Sequence, residues 1–554
     1  MSVNAIIDHV LRHEVPRSLQ IFSPEIVLCV TVVALLFLRM FELHRRLPSS
    51  WVAMIGALVA FSGVFAQFVY LQQPESTMYD GLYKMWSLTP LGVGEAGTYF
   101  TGLLVHDPFA VFFRLGLTLF LVLVIALTVL SGIPDQEDGQ DFYTLLIGST
   151  IGMMMATGSN HLLMLFLSIE MMSVPSYVMV AFQKGRKVAS EAAFKYVVFG
   201  AGTAGVMLYG LSLISGLLGT ALFSEMGANF TTIMEGQAFA ISNPASVTLV
   251  LGIMMVLAGI AFKLSLVPFH FWCPDVFEGA SAEVGGFLSV ASKAAAFALL
   301  VRFVMAFEGT SQALIDLSMF FGAALGVISI LSMTIGNLAA YTQTNLKRML
   351  AYSTIAHAGY MVMAVAALLV IVNSPELGSK HAASCVEGLT YYLAVYLFMN
   401  LAAFSIVALI RNETFSEDID SYNGLVNGGG ATKLLAVCMA IAFFSLVGLP
   451  PFGGFFAKMM IFYSAYQAGT VHWFMWVVLA FGGLNTVFSL FYYLRVLRAV
   501  FIIEPAENSQ PVRTPGLVGA YVLLITLPIL ALGMSSLQGD LTATAQYVAG
   551  VLFQ

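Results

Sequence analysis

The sequence predicts an all-α polytopic membrane protein with about 14 transmembrane helices. Three observations carry this. Of 554 residues, 59% are hydrophobic and only 10% charged, against roughly 25% charged in an ordinary soluble domain. The apolar runs are continuous over about 20 residues and do not alternate, which excludes a β-barrel. The runs also contain isolated charges: Glu170, Lys195, Lys263, Lys293 and Lys458. Each such charge costs roughly 3 kcal/mol at the bilayer centre on insertion scales, so these residues are expected to face a bundle interior or a wet cavity and to move ions or protons.

The expected spans run 24–41, 51–72, 109–131, 142–158, 160–182, 190–218, 246–272, 284–307, 313–340, 349–372, 386–410, 431–467 as one interrupted span, 471–500 and 515–535. Prolines interrupt two of them. Pro268 breaks the seventh, within Ser265-Leu266-Val267-Pro268-Phe269, and Pro450-Pro451 breaks the twelfth, within Ser445-Leu446-Val447-Gly448-Leu449-Pro450-Pro451-Phe452. The two strings match at Ser-Leu-Val and at Pro-Phe. They lie an odd number of spans apart, so their helices are expected to point in opposite directions. This is the sign of two inverted five-helix repeats, in which helix ends freed by the breaks lie near the midplane. The expected organisation is therefore 1–141 with three leading helices, 142–307 as one repeat, 313–500 as the other, and 501–554 with a final helix.

Orientation follows from basic residues in the loops. Loops after odd-numbered spans hold Arg45, Arg46, Lys184, Arg186, Lys187, Lys347, Arg348, Arg411, Lys433, Arg495, Arg498 and Arg513, whereas even-numbered exits hold Lys84, Arg302 and Lys380. The positive-inside rule puts the first set in the cytoplasm and both termini on the outer side. The first 20 residues are polar and lack a cleavable signal pattern.

Composition also narrows the partners. No basic patch with interleaved aromatics is present, so nucleic acid is not expected. Cys29, Cys273, Cys385 and Cys438 are scattered and form no Cys/His cluster. No iron–sulfur centre, zinc or other cofactor is expected in this chain. Gly200-Ala201-Gly202-Thr203-Ala204-Gly205 fits GxGxxG, but a dinucleotide site needs a strand before it and a helix start at the glycines. These glycines fall mid-helix, where close helix packing is the expected reason for them.

Each candidate residue has two readings. Glu170 is either a hydrogen-bonded structural acid or a carboxylate held by a buried lysine. Lys195 lies one turn from Glu191, so an i,i+4 ion pair at the helix end competes with a transport role. Lys263 and Lys293 are too deep to reach the interface. A buried ammonium whose counter-charge can be withdrawn exchanges its proton readily, which suits a relay. Lys458 follows the double proline and suits the last donor toward the outer side. His270 and His357 titrate near neutrality as a class and serve either as relay members or as packing residues.

Four segments together resemble the antiporter-like subunits of bacterial respiratory complex I, of the N type, a family related to Mrp-type cation/proton antiporters. They are Ser190 to Tyr196 (SEAAFKY), Phe262 to Gly279 (FKLSLVPFHFWCPDVFEG), Lys347 to Tyr360 (KRMLAYSTIAHAGY) and Gly448 to Lys458 (GLPPFGGFFAK). The resemblance covers roughly residues 105–500. It implies proton translocation coupled to NADH:quinone oxidoreduction in other subunits, with no redox chemistry here. The implied partners are neighbouring membrane-arm subunits, the lipid bilayer of the bacterial inner membrane, and protons. It also assigns Glu170, Lys195, Lys263, Lys293 and Lys458 to the family's charged positions. One stretch departs. Where the family tends to carry proline, this chain has Ser281-Ala282-Glu283-Val284-Gly285-Gly286, so Glu283 adds an acid near the cytoplasmic mouth. An Mrp-type antiporter subunit and a non-pumping scaffold of the membrane arm are the alternative readings.

Overall fold

The apolar runs fold as helices because a backbone cut off from water must bond within its own segment. The computed structural model describes residues 10–43, 46–72, 96–134, 138–183, 185–240, 242–504 and 512–553. Among them, eleven helices are long and apolar enough to cross a membrane. The other three expected spans fall on helices outside that set. Gly139–Thr157 is one, the split pair Thr432–Val447 and Gly453–Val471 is the second, and Gly516–Ala531 is the third.

The chain divides into two compact units that interleave along the sequence. The division does not follow the expected repeat boundaries. The first unit comprises 1–179, 204–257 and 294–307. It holds the helices Ser23–Met40, Ser49–Gln72, Pro108–Ser131, Gly139–Thr157 and Leu162–Val180. A short antiparallel hairpin, Gly97–Tyr99 with Leu104–His106, precedes the Pro108 helix. Asp107 caps that helix through the Ala110 N–H at 2.7 Å and also accepts from Arg302 at 2.7 Å. A second buried pair, Arg114 with Glu25 at 2.5 Å, has His106 3.3 Å from the same guanidinium. These pairs tie distant segments of the unit where bare charges would be expensive.

The second unit comprises 180–203, 258–293 and 308–554. Its most enclosed element is Leu346–Val372, whose apolar stretch is entirely buried, whereas only 28% of the corresponding stretch of Phe474–Phe501 is buried. A helix apolar all round belongs in the interior. Both breaks lie in this unit. The Pro244–Leu264 helix ends at Ser265, and the chain runs irregularly to the short helix Trp272–Gly279. The Thr432–Val447 helix ends at Gly448 and resumes at Gly453.

Several expectations are corrected. Gly202 and Gly205 do lie mid-helix in Lys187–Leu218, but a Cβ on either would meet nothing within 4 Å. Within this chain they sit on an open helix face. Gly210 on the same helix does serve close packing, since its Cβ would lie 2.6 Å from the Gly252 carbonyl. Several basic residues assigned to loops are not free loop charges. Lys347 and Arg348 begin the Leu346–Val372 helix, Arg302 is buried against Asp107, and Arg411 lies in the last turn of Gly378–Thr414. Arg45, Lys84 and Lys184 lie outside the described residues.

Candidate functional site

The two breaks begin with the same backbone device. At the first, Ser265 takes a positive φ of 58° and Leu266 N–H reaches back to the Ala261 carbonyl at 2.8 Å. At the second, Gly448 takes φ 89° and Leu449 N–H reaches the Phe444 carbonyl at 3.0 Å. Both are Schellman closures, in which a left-handed residue ends the helix and its successor bonds six-to-one. This register pairs Ser265-Leu266-Val267-Pro268-Phe269 with Gly448-Leu449-Pro450-Pro451-Phe452 without a gap. The Ser-Leu-Val match seen in the sequence is therefore out of register with the fold, because Ser445 still lies inside its helix.

Lys458, nearly fully buried, sits in the second turn after the second break. Its Nζ donates to the Val447 carbonyl at 2.8 Å. That carbonyl belongs to the last residue of the broken helix, where acceptors are left without intrahelical donors. The ammonium also lies over the Tyr360 ring, 4.6 Å from the centroid, a cation–π contact. The glycines around it are required. A Cβ on Gly448 would lie 2.9 Å from Lys458 Cδ, and one on Gly454 would lie 1.9 Å from the Ser445 carbonyl oxygen.

Lys293 is buried on Ala282–Met305, and its Nζ donates to the Thr354 carbonyl at 3.0 Å. Cys273 of the short helix lies within its electrostatic reach. Three residues after Thr354, on the same helix face, stands the buried His357. Its Nδ1 is 2.5 Å from the Tyr392 hydroxyl and its Nε2 3.5 Å from the Tyr493 hydroxyl, which bonds Ser353 in turn. His357 feels both Lys293 and Lys458 electrostatically. Three residues further comes Tyr360, under Lys458. Thr354, His357 and Tyr360 thus form one stripe along a helix rising 1.5 Å per residue, about 9 Å from end to end. The stripe joins the surroundings of Lys293 to those of Lys458.

The other expected site residues are placed differently. Lys263 is buried in the last turn of Pro244–Leu264, just before the first break. His270 lies in that break with its ring 4.5 Å from Phe271. Glu170 is half-buried on Leu162–Val180, in the first unit, while the six basic residues are in the second. Lys195 is no member of the buried row. Its side chain is 38% exposed and is shared between Glu191 and Asp275, each at 2.8 Å. Asp275 also accepts from Arg348 at 2.7 Å, and Arg348 bonds Glu278 at 2.6 Å. The short helix after the first break is thereby tied to two neighbours by ion pairs.

Sequence reasoning missed this Asp275 cluster and the hydroxyls of Tyr392 and Tyr493. It also missed the buried pair of Lys347 with Glu417 at 2.8 Å. Tyrosine in an otherwise apolar span was the available signal, since a buried hydroxyl usually finds a partner.

The family described as NADH:quinone oxidoreductase/Mrp antiporter, TM, matches residues 159–489. The chain belongs to this family. A protein named NADH-quinone oxidoreductase subunit N from Anaeromyxobacter sp. (strain Fw109-5) is 40% identical over 79% of this chain and 83% of its own length. A protein named NADH-quinone oxidoreductase subunit N 2 from Sorangium cellulosum is 32% identical over 93% of this chain and 95% of its own. Among solved structures, a chain of respiratory complex I from Thermus thermophilus with bound aureothin superposes with TM-score 0.70 at 27% identity, covering 94% of this chain and 98% of that one. A chain of the Mrp complex from Dietzia sp. DQ12-45-1b shares the fold, with TM-score 0.75 at 19% identity over 97% and 98% of the two chains. Lys263, Lys293, His357 and Lys458 all fall within the family match.

Proposed function

We propose that this family member is a proton-translocating membrane-arm subunit of an NADH:quinone oxidoreductase in a bacterial inner membrane. Its partners are other membrane-arm subunits, and the electron transfer takes place in other chains. The observation that carries the reading is the Lys293–His357–Lys458 row. Two buried ammonium groups are held on helix carbonyls, with a titratable ring between them that feels both. A proton leaving one lysine changes the field at the next, and in a low-dielectric interior such changes are large.

Lys293 is the central carrier and Lys458 the donor toward the outer side. His357, with the tyrosine hydroxyls around it, passes the proton between them. Lys263 and Glu170 supply the charge change that starts each cycle, and His270 stands at the break where the path begins. Lys195 acts through the Asp275 cluster by holding the short helix in place.

The deciding experiment replaces Lys293 in the intact complex. Lys293→Ala is expected to lower quinone reductase turnover and proton pumping together while assembly is kept. Lys293→Arg, which does not release its proton, is expected to impair pumping as well. Near-normal pumping by the alanine variant would make this lysine structural and overturn the reading. Co-purification with NADH-oxidising subunits separates it from the stand-alone antiporter.

A further inference from the structure

Glu283 is the acid that the row does not use. It lies in the first turn of Ala282–Met305, the helix that carries Lys293, and is 1% exposed. A carboxylate there could simply serve the free N–H groups of the helix start. The cap is supplied by Ser281, whose Oγ accepts from the Val284 N–H at 3.4 Å. Glu283 Oε2 is buried and has no hydrogen-bond partner. Lys347, whose Nζ donates to the Ala280 carbonyl at 2.5 Å, is paired with Glu417 instead. A buried carboxyl oxygen without a partner is costly to keep, and such an atom calls for a reason.

The space between Glu283 and Lys293 is polar too. Ser289, one turn before Lys293, accepts from Asn400 at 2.6 Å. The buried Asn400 Oδ1 and Tyr396 hydroxyl make no hydrogen bond of full geometry, although Tyr396 reaches toward Asn400 and Thr354. Thr354 is the residue whose carbonyl holds Lys293. Buried polar atoms left open in this way are the usual seats of bound water. Ten residues of helix separate Glu283 from Lys293, about 15 Å, too far for a direct transfer and suited to a short water chain.

We propose that Glu283 is the proton-loading group of Lys293. The proposal rests on Lys293 being a carrier, as above. The carboxyl O–H bond breaks, and the proton moves along water past Asn400 and Tyr396 to the free amine of Lys293, forming an ammonium. The carboxylate left behind takes its next proton from the side bearing the basic loops. No electron moves.

The test compares Glu283→Gln, Glu283→Asp and Lys293→Ala in the assembled complex, reading pumping, turnover and the pH profile of turnover. Glu283→Gln keeps the shape and cannot carry the proton, so pumping is expected to fall roughly tenfold or more. Glu283→Asp keeps the carboxyl on a shorter stem and is expected to pump at an intermediate rate with a displaced pH profile. Loss in Lys293→Ala with normal pumping in Glu283→Gln overturns the loading role and leaves the relay standing. Normal pumping in Lys293→Ala overturns the relay itself. Equal loss in the Gln and Asp variants makes Glu283 a packing residue. Should Glu283→Gln not assemble, an unchanged rate and pH profile in Glu283→Asp overturns the proposal.

Discussion

At the first helix break, between Leu264 and Trp272, two neutral side chains take backbone groups. The Trp272 indole N–H donates to the Phe262 carbonyl at 3.1 Å, and Ser332 Oγ accepts from the Val267 N–H at 3.0 Å. At the second, between Val447 and Gly453, the Ser445 hydroxyl accepts from the Gly454 N–H at 3.1 Å, while the Val447 carbonyl is taken by the Lys458 ammonium. The backbone turns are the same and the closing chemistry is not. The indole and serine bonds at the first break involve no charged group. The second is held partly by a charge, so the strength of its closure changes when Lys458 gives up a proton. A helix C-terminus favours a cation, which ties the geometry of this break to the protonation of its lysine.

The strongest challenge to that contrast is Lys458→Met. The stem's packing against Gly448 and Tyr360 survives, but the donor and charge are gone. Pumping by the assembled complex is expected to fall roughly tenfold or more. At the first break, Trp272→Phe takes away one of the Phe262 carbonyl's two donors, the Ser265 N–H at 3.0 Å remaining, while an aromatic ring stays beside Tyr196, whose centroid is now 4.3 Å from the indole's. The lost hydrogen bond and the smaller buried ring together are expected to cost about 1–3 kcal/mol of stability, read as a lower thermal transition of the purified complex, with protons per turnover unchanged. If Trp272→Phe uncouples pumping and Lys458→Met does not, the contrast is reversed.

The smallest expected effects come from the two left-handed residues. Gly448→Ala forces a Cβ into a positive φ and against Lys458, for about 1–2 kcal/mol. Ser265→Gly relieves a strained conformation and is expected to change stability by less than about 1 kcal/mol, in the favourable direction. Thermal unfolding of the two variants side by side checks the sign.

The two helix breaks illustrate what could be read in advance. Both breaks were legible because proline ends a helix by its own covalent geometry. Their register was not. Ser-Leu-Val recurs in the sequence, yet the fold aligns Ser265 with Gly448, because the residue that takes the left-handed conformation is chosen by where the helix ends. The burial of Lys263, Lys293 and Lys458 followed from their apolar flanks. Lys195, with flanks almost as apolar, is 38% exposed because Asp275, 80 residues away, draws it to the end of the helix.

The sequence by itself determined the all-helical membrane class, the two broken helices and the burial of Lys263, Lys293 and Lys458. Each depends on local properties: the length of an apolar run, a proline ring, a charge without polar neighbours. Only the tertiary structure decided what those charges hold. Lys293 finds a carbonyl 61 residues away, Lys458 closes the end of the preceding helix, His357 takes two tyrosines from separate helices, and Glu283 is left with an open oxygen. Hydrogen-bond partners for a buried ammonium can come from any helix that packs against it, and packing is a property of the whole bundle.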